Sequence, residues 1–467
     1  MNRNRVSEPT RPSIRRSASL GLAGLLALSA CGDSADPETG ATDGEASGET
    51  DAETNGARQV SYYEHVRPLL SEHCVSCHSD GSIAPFRLDT YQEVAALGPA
   101  IAAVIEARTM PPFGVRADGS CRDWADPRWL GDDDIATIAQ WVEEGTMEGD
   151  PTIEAPLVPQ LPTLEGDGIE RVALPNYTPH ASPEAGFELD DYQCFLVEFD
   201  GDEDRYLTGF DVEAGNDKLV HHVLGFRVDP AFLGNGETLE KLDALEAGPG
   251  WDCYGAAGEG VLPQGVPVTW APGQGAVHYP DGVGVRFSPG DVMVVQMHYN
   301  LLDSQGMDQT SINLQWADEV EREGFQILWD PFLFSSIGGG GGETLEAGAA
   351  SVQYAWNASF ESMLSLDGLA FDSIDILGLI PHMHSRGRSM DINIDRGDTM
   401  ACAADVDRYD YNWQRTYFYE DPITVGMGDR LDVVCDFDTT GIDAPVAAGF
   451  GTQDEMCLVG IFFAPSE

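Results

Sequence analysis

The chain has 467 residues, enough for about three domains of roughly 150 residues each, so a single small module is excluded. Hydrophobic residues make up 42% of it and aromatic residues 9%, which is enough to bury cores and excludes wholesale disorder. Its 79 acidic and 25 basic residues give a formal net charge of -54, which repels phosphate backbones and argues against a nucleic-acid partner.

Residues 1–31 are predicted to be an export signal. Arginines precede the apolar run Leu20–Ala30, which is too short to span a bilayer at roughly 20 residues. The run ends in Leu-Ser-Ala-Cys31, which resembles a bacterial lipobox, so Cys31 is the predicted lipidation site and the membrane anchor. An ordinary signal peptide with an incidental cysteine is the alternative. Either signal predicts export to a bacterial periplasm or outer membrane, and residues 32–57, acidic and without large apolar side chains, predict a disordered tether.

The rest of the chain predicts a multidomain protein, with a small all-α domain followed by two all-β sandwich domains. Apolar residues recur at helical spacing over residues 58–150, and residues 151–178 are rich in proline and suit a linker. Short β-rich runs separated by glycine and proline follow, which predicts one β domain over 179–332 and a second over 333–467.

A haem site is predicted in the α domain. Cys74 and Cys77, followed directly by His78, form the C-x-x-C-H arrangement in which two thiols attach a c-type haem and the imidazole binds iron. A redox C-x-x-C and half a zinc site are the competing interpretations, but no βαβ pattern and no second C-x-x-C accompany the motif.

The predicted sixth iron ligand is a methionine. The segment from residue 62 to residue 145 resembles a class I cytochrome c domain, whose distal methionine lies in a loop, and Met110 occupies such a position before two prolines. Met147 and His73 are the weaker candidates.

Five histidines lie in three apolar segments of the β domains, which is uncommon for imidazoles. His382 and His384 are two apart, so a strand would project them from the same face. The neighbours His221 and His222 can reach one ion only if their strand is bulged and the two rings use different nitrogens. The fifth is His298, in Gln-Met-His-Tyr.

The order of these motifs resembles the copper type II, ascorbate-dependent monooxygenases, over roughly residues 180–467. The resemblance rests on His-His, Gln-Met-His-Tyr, His-Met-His and Asp-Glu-Met-Cys, in that order. It implies two jelly-roll-like sandwiches that each hold one copper ion, an open cleft between the metals, and ascorbate as a reductant. It assigns an electron-storing copper to His221, His222 and His298, and an oxygen-binding copper to His382, His384 and Met456. Gln296 also matches the family and would order water or substrate.

Ligand chemistry supports copper independently. Two imidazoles plus a thioether favour Cu(I) and leave a coordination position open. Zinc is the rival metal, but methionine is a poor zinc ligand, so Met456 separates the two where the three-histidine set alone does not.

The cysteines agree with export. Six remain after Cys31, Cys74 and Cys77 are set aside, and an even number outside the cytoplasm suggests three disulfides. The resemblance implies the pairs Cys435–Cys457 and Cys194–Cys253. Cys121 and Cys402 are left, as a bridge by elimination or as free thiols.

Three positions depart from the family's peptide-amidating members. Ile380, Leu458 and Gly460 stand where those members carry an arginine, an asparagine and a tyrosine. A substrate carboxylate would lose its partners there, which argues against peptide amidation and favours a more apolar or differently held substrate.

The sequence therefore predicts an exported copper monooxygenase that hydroxylates a C–H bond of a small-molecule or peptide-like organic substrate with O2. Its electrons would pass from a periplasmic donor through the fused haem. A haem–copper electron carrier or copper-handling lipoprotein without oxygenase activity is the alternative, and a scaffold with empty sites is a third.

Overall fold

The structure is a computed structural model that describes residues 59–466, except 80–83, 85, 126, 128–129, 155, 157–160, 182–188, 246–247, 255–256, 302–304, 338–341, 367, 412 and 450–452. The predicted signal, the lipidation site Cys31 and the tether lie outside the described residues. Within them, no helix has both the length and the apolar composition needed to cross a membrane.

Three of the described α-helices lie near the start of the chain. A π-helical turn, Tyr62–Val66, leads into α1 (Arg67–His73), followed by α2 (Tyr91–Glu106) and α3 (Asp132–Glu143). α2 begins at a capping box in which Thr90 and Glu93 bond each other's backbone N–H groups, and three aspartates in the first turn of α3 favour its dipole. Their buried apolar residues, including Val66, Ile101 and Trp141, form one core.

The described remainder is mostly β. Its three helices are α4 (Asn235–Asp243), α5 (Pro331–Ile337) and α6 (Phe360–Leu366). The first eleven strands are β1 (Ile169–Ala173), β2 (Asp190–Glu198), β3 (Arg205–Glu213), β4 (Val220–Val228), β5 (Trp251–Asp252), β6 (Val268–Trp270), β7 (Val277–His278), β8 (Val283–Phe287), β9 (Val292–Asn300), β10 (Ser311–Ala317) and β11 (Arg322–Glu323). The others are β12 (Phe325–Trp329), β13 (Thr344–Leu345), β14 (Val352–Ser359), β15 (Ser373–His382), β16 (Gly387–Asp395), β17 (Met400–Val406), β18 (Tyr417–Gly426), β19 (Arg430–Phe437), β20 (Val446–Ala447) and β21 (Leu458–Pro465).

These strands build two β-sandwiches. In the first, a sheet of order β1-β10-β3-β8-β11, with β7 on β3, shares a core with a sheet of order β5-β2-β9-β4-β6. In the second, the sheets are β12-β21-β15-β18 and β14-β19-β16-β17, and β13 pairs with β20. The β-sandwich fold class is thus confirmed. The chain changes sandwich at Gly324, between β11 and β12, eight residues before the predicted boundary at residue 332.

Two segments before residue 179 join the sandwiches. β1 lies inside the range predicted as a linker and pairs with β10. Residues 113–125, within the range predicted for the α domain, pack on the second sandwich instead: Val115 bridges Val406, and Trp124 bridges and stacks on Tyr419. A disulfide from Cys121 to Cys402 fixes this segment covalently.

The sandwiches also touch each other. Phe462 of β21 packs in the core of the first sandwich, with its ring 4.8 Å from that of Tyr279. The hydroxyls of Thr269 and Thr416 lie 2.9 Å apart across the junction. This contact brings the ends of β4, β9 and β15 to one cavity.

Candidate metal centres

The three-histidine site, defined as His221, His222 and His298, lies on adjacent strands β4 and β9. His222 pairs with His298, and a β-bulge between Val220 and His222 leaves His221 as the extra residue. The bulge turns His221 to the same side as its neighbour. The predicted bulge is therefore confirmed.

The ring nitrogens of this site converge. The three Nδ1 atoms lie 3.2–3.3 Å from one another, so both rings of the His-His pair point the same kind of nitrogen inward, and the predicted use of different nitrogens is wrong. Three nitrogens each about 2.0–2.1 Å from one ion in near-tetrahedral arrangement would have similar spacing. The residues present fit a metal ion.

Two neighbouring side chains hold the His298 ring in this orientation. His298 Nε2 lies 3.0 Å from the buried carboxylate of Asp190, and its ring stacks on Tyr192 at 4.1 Å. A carboxylate on the far nitrogen is the usual support of a metal-binding imidazole. Burial lowers the pKa of His222 and His298 well below the ordinary value, which keeps both rings neutral and able to bind metal.

The methionine site, defined as His382, His384 and Met456, lies at the end of β15 and just before β21. The ring centroids of the two histidines are 5.2 Å apart at 88°. His382 Nδ1 lies 2.7 Å from Gln414 Oε1 and His384 Nδ1 lies 3.1 Å from the Asp454 carbonyl oxygen, so both rings are held through Nδ1, which fits ligands that bind a metal through Nε2. Burial lowers the pKa of His382 to about 4. Met456 is 5% exposed and lines the same cavity as the two rings.

Glu455 ties the two segments of the methionine site together. Its buried carboxylate accepts the backbone N–H groups of His384, at 2.9 Å, and Arg386, at 2.7 Å. Burial raises the pKa of Glu455 to about 7, and these hydrogen bonds oppose the rise. The residue before Met456 thus fixes the loop that carries His384.

One narrow cavity of about 80 Å³ is lined by His222 of the three-histidine site and by all three residues of the methionine site. Tyr411 stands between them: its ring stacks on His221 with centroids 5.0 Å apart and meets His384 edge-on at 5.9 Å. The expected open cleft is therefore wrong, because this side chain contacts both ligand sets. The wall is otherwise mainly apolar or amide, formed by Leu224, Trp270, Gln296, Leu328, Ile380, Gln414 and Leu458.

Gln296 lies on this wall, as the sequence predicts for a cleft residue, but it also has a structural role. It is fully buried, and its Nε2 donates to the Cys253 carbonyl oxygen at 2.8 Å. It also lies opposite Cys194 in the β2–β9 ladder. The amide therefore joins the cavity wall to a disulfide.

All six remaining cysteines are paired. The structure contains Cys194–Cys253 and Cys435–Cys457, the pairs that the resemblance implies, and also Cys121–Cys402. The Cys194–Cys253 bridge anchors β2, and the Cys435–Cys457 bridge anchors the residue after Met456. The Cys121–Cys402 bridge answers whether these two cysteines are paired or free, which the sequence left open.

The departures at Ile380, Leu458 and Gly460 are explained by packing. Ile380 pairs with Gly460 across β15 and β21. A Cβ at Gly460 would lie 2.9 Å from Ile380 Cβ and 2.9 Å from Leu328 Cδ2, so no larger side chain fits. Ile380 and Leu458 present apolar surface to the cavity.

The predicted haem residues lie outside this cavity. Cys74 and Cys77 are free thiols at the end of α1, and the His78 N–H bonds the Cys74 carbonyl oxygen at 2.9 Å. His78 Nδ1 lies 3.1 Å from the Phe86 carbonyl oxygen, which leaves Nε2 for a metal and fits a haem ligand. Met110 is 40% exposed in the loop after α2. Haem binding stays a prediction.

The similarity to known proteins lies in the β domains. Residues 361–466 match the model of the copper type II ascorbate-dependent monooxygenase C-terminal domain. These residues carry the whole methionine site. The match supports the copper type II monooxygenase family.

Similar curated proteins agree, and they support an oxidoreductase of the monooxygenase class. The chain is 26% identical over 255 residues to human "Putative DBH-like monooxygenase protein 2", covering 54% of this chain and 48% of that protein. It is 23% identical over 299 residues to human dopamine beta-hydroxylase, covering 59% and 43%. The chain therefore spans about half the length, or less, of these relatives. Among solved structures, an infectious bursal disease virus VP2 particle aligns at a TM-score of 0.15 and 10% identity, over 65% of this chain and 73% of that one.

Sequence reasoning missed several residues of the site. Tyr411, Gln414 and Arg415 lie between β17 and β18 in a segment without a recognisable pattern. Asp190 had a partial signal: its strand contains the apolar run Cys194–Val197, beside which a charge needs a partner, but the strand has other polar residues as well.

Proposed function

We propose that this chain is an exported copper monooxygenase that hydroxylates a C–H bond of a small-molecule or peptide-like organic substrate with O2. One observation carries the proposal: two unequal sets of ligand side chains, one all-nitrogen and one containing a thioether, meet at one cavity, which is lined by His222 of the first set and by all three members of the second. Copper bound there would supply one-electron redox chemistry and a coordination position open to a small molecule.

The three-histidine site suits an ion that changes oxidation state without moving its ligands. Burial lowers the pKa of His222 and His298 and keeps both rings neutral, the three Nδ1 atoms converge, and Asp190 and Tyr192 hold the His298 ring. Ligands preorganised in this way need little rearrangement when the charge of the ion changes, which suits an electron store.

The methionine site suits the reaction with O2. The soft thioether of Met456 stabilises the reduced metal, and Gln414 and the Asp454 carbonyl oxygen orient the two imidazoles. Three protein ligands leave room for a further one.

The cavity wall favours an apolar reacting group. Leu224, Trp270, Leu328, Ile380 and Leu458 exclude water from the reaction. Dopamine and tyramine appear in the names of relatives, but the wall of this cavity contains no carboxylate among the described residues to bind an ammonium group.

Electron supply is assigned to the N-terminal segment. Cys74 and Cys77 would attach a c-type haem, with His78 and Met110 as the iron ligands. A haem delivers electrons singly, as two one-electron metals require. We assign the donor to the periplasm, ascorbate remaining an alternative reductant, and the membrane anchor to a lipid on Cys31.

The test is oxygen uptake that depends on an added organic substrate, with ¹⁸O from labelled O2 found in the product. Met456→Ile should abolish product formation while Met400→Ile, at a side chain 56% exposed, should leave it unchanged. Uptake that yields only hydrogen peroxide with every substrate tried would refute the monooxygenase and favour the haem–copper carrier or copper-handling protein.

A further inference from the structure

The two ligand sets lie on different sandwiches, so an electron that passes between them has to cross the junction. The three-histidine site is on β4 and β9 of the first sandwich, and the methionine site is at the end of β15 and just before β21 of the second. Because β4 and β15 are far apart in sequence, a covalent path between the two sites is long. A short path therefore needs a contact through space.

The ring of Tyr411 makes such a contact with both sites. It stacks on the ring of His221 with centroids 5.0 Å apart at 29°, and it meets the ring of His384 edge-on at 5.9 Å and 79°. Both distances lie within the range of about 4.5–7 Å that is typical of aromatic pairs in contact. The three rings thus form a continuous series from a ligand of one site to a ligand of the other.

Hydrogen bonds hold Tyr411 beside the methionine site. Gln414 Nε2 donates to the Tyr411 carbonyl oxygen at 2.8 Å, and Gln414 Oε1 lies 2.7 Å from His382 Nδ1. Two residues before Tyr411, the Tyr409 hydroxyl accepts the Met383 N–H at 2.9 Å and donates to the Met383 carbonyl oxygen. The segment is therefore fixed to the second sandwich on both sides of Tyr411, while the Tyr411 ring reaches a ligand on the first.

This arrangement favours electron transfer between the sites. Electrons tunnel through overlapping orbitals, and the rate falls more steeply across an empty gap than through atoms in contact. If the Tyr411 ring were removed, a gap of about its size would separate the His221 and His384 rings. Because these imidazoles are themselves proposed copper ligands, the series of rings joins one metal position to the other.

We propose that Tyr411 is the bridge for electron transfer between the two copper sites. Hydroxylation of one C–H bond by O2 consumes two electrons and two protons and releases one water molecule. One of these electrons leaves Cu(I) at the three-histidine site, which becomes Cu(II), and crosses the Tyr411 ring to the methionine site. The ring transmits the electron by orbital overlap, so it is not itself oxidised and its hydroxyl keeps its proton. This inference rests on the proposed function and adds a residue to it.

The test measures this transfer without oxygen or organic substrate, so its result does not depend on hydroxylation. The full metal-loaded chain is reduced under carbon monoxide until only the three-histidine copper is oxidised. Carbon monoxide is a soft ligand that binds Cu(I) at the open position of the methionine site and holds the electron there. A laser flash releases it, and the electron then moves back along the same path to the three-histidine site. The decrease in Cu(II) absorption gives the rate.

Three variants identify the path. Tyr411→Phe keeps the ring and should keep the rate, whereas Tyr411→Leu should slow the transfer by more than an order of magnitude. Thr269→Val is the control for a rival path, because the hydroxyls of Thr269 and Thr416 lie 2.9 Å apart across the junction, and it should leave the rate unchanged. Tyr411→Met repeats the comparison if the leucine variant does not load both coppers.

The outcomes separate this inference from the proposed function. Equal rates in the unaltered chain and in Tyr411→Leu, with both coppers bound, would overturn the bridge. A rate in Tyr411→Phe as low as in Tyr411→Leu would also overturn it, because the hydroxyl would then be required. So would an equal loss in Thr269→Val. Each of these results would leave the monooxygenase proposal intact, whereas normal transfer without product from any substrate would refute the monooxygenase and leave the bridge.

Discussion

Removing the carboxylate of Asp190 should weaken metal binding at the three-histidine site, by less when asparagine replaces it than when alanine does. Asp190 is 6% exposed, and its Oδ1 lies 3.0 Å from His298 Nε2. Asp190→Asn keeps an acceptor for the ring N–H but removes the charge, whereas Asp190→Ala removes both. Loss of such a supporting partner costs about 10–100-fold in metal affinity. We assign the lower end to the asparagine and the upper end to the alanine, or about 1.4 and 2.7 kcal/mol.

The assay is competition for Cu(I) with a chromophoric chelator, in a Met456→Ile background that silences the methionine site. The Cu(II) electron paramagnetic resonance spectrum then reports the remaining nitrogen ligands. Gln414→Leu, without Met456→Ile, is the reciprocal control. It breaks the 2.7 Å contact with His382 Nδ1 and should weaken only the methionine site.

The reasoning is refuted if Asp190→Ala binds copper within about twofold of the parent. It is equally refuted if, with Met456 restored, that variant weakens the methionine site and spares the three-histidine site. A change in melting temperature with unchanged copper affinity would give Asp190 a structural role alone.

Two further outcomes follow from packing and burial. Gly460→Ala should lower the free energy of unfolding by about 1–3 kcal/mol in urea titrations, because its Cβ would lie 2.9 Å from Ile380 Cβ. The control Gly428→Ala, whose Cβ would have no atom within 4 Å, should be near neutral. Equal effects of the two variants would contradict the packing argument. Burial raises the Glu455 pKa from 4.5 to about 7, so the folded copper-free chain holds a proton that the unfolded chain has lost between these values. The free energy of unfolding should therefore fall as pH rises through that window, by up to about 3 kcal/mol from this group. Glu455→Gln should flatten the dependence of this free energy on pH. An unchanged dependence in the variant would show that other groups cause it.

Local pattern was enough to predict much of the site. His221 and His222 are adjacent on a strand, so both can bind one metal ion only if the strand has a bulge, and β4 has one. His382 and His384 are two apart, and their rings lie close together. These inferences depend only on the two-residue repeat of a strand, which sequence displays directly.

What escaped prediction depends on contacts between distant parts of the chain. Residues 113–125 were grouped with the helices around them, yet they pack on strands about 280 to 295 positions later, and no periodic pattern marks such a partner. Tyr411 was missed for the same reason. Its position between the two histidine sets is created by the docking of the sandwiches, which no single segment encodes.

The bridge from Cys121 to Cys402 has a consequence for the order of biosynthesis. The two cysteines are separated by 281 positions, and the later one lies in β17. A ribosome makes Cys121 soon after Cys74 and Cys77. Cys121 cannot form its native disulfide until more than half of the second sandwich has been made. A chain that stops short of Cys402 leaves Cys121 without its partner, and closure of this bond therefore shows that synthesis has passed residue 402.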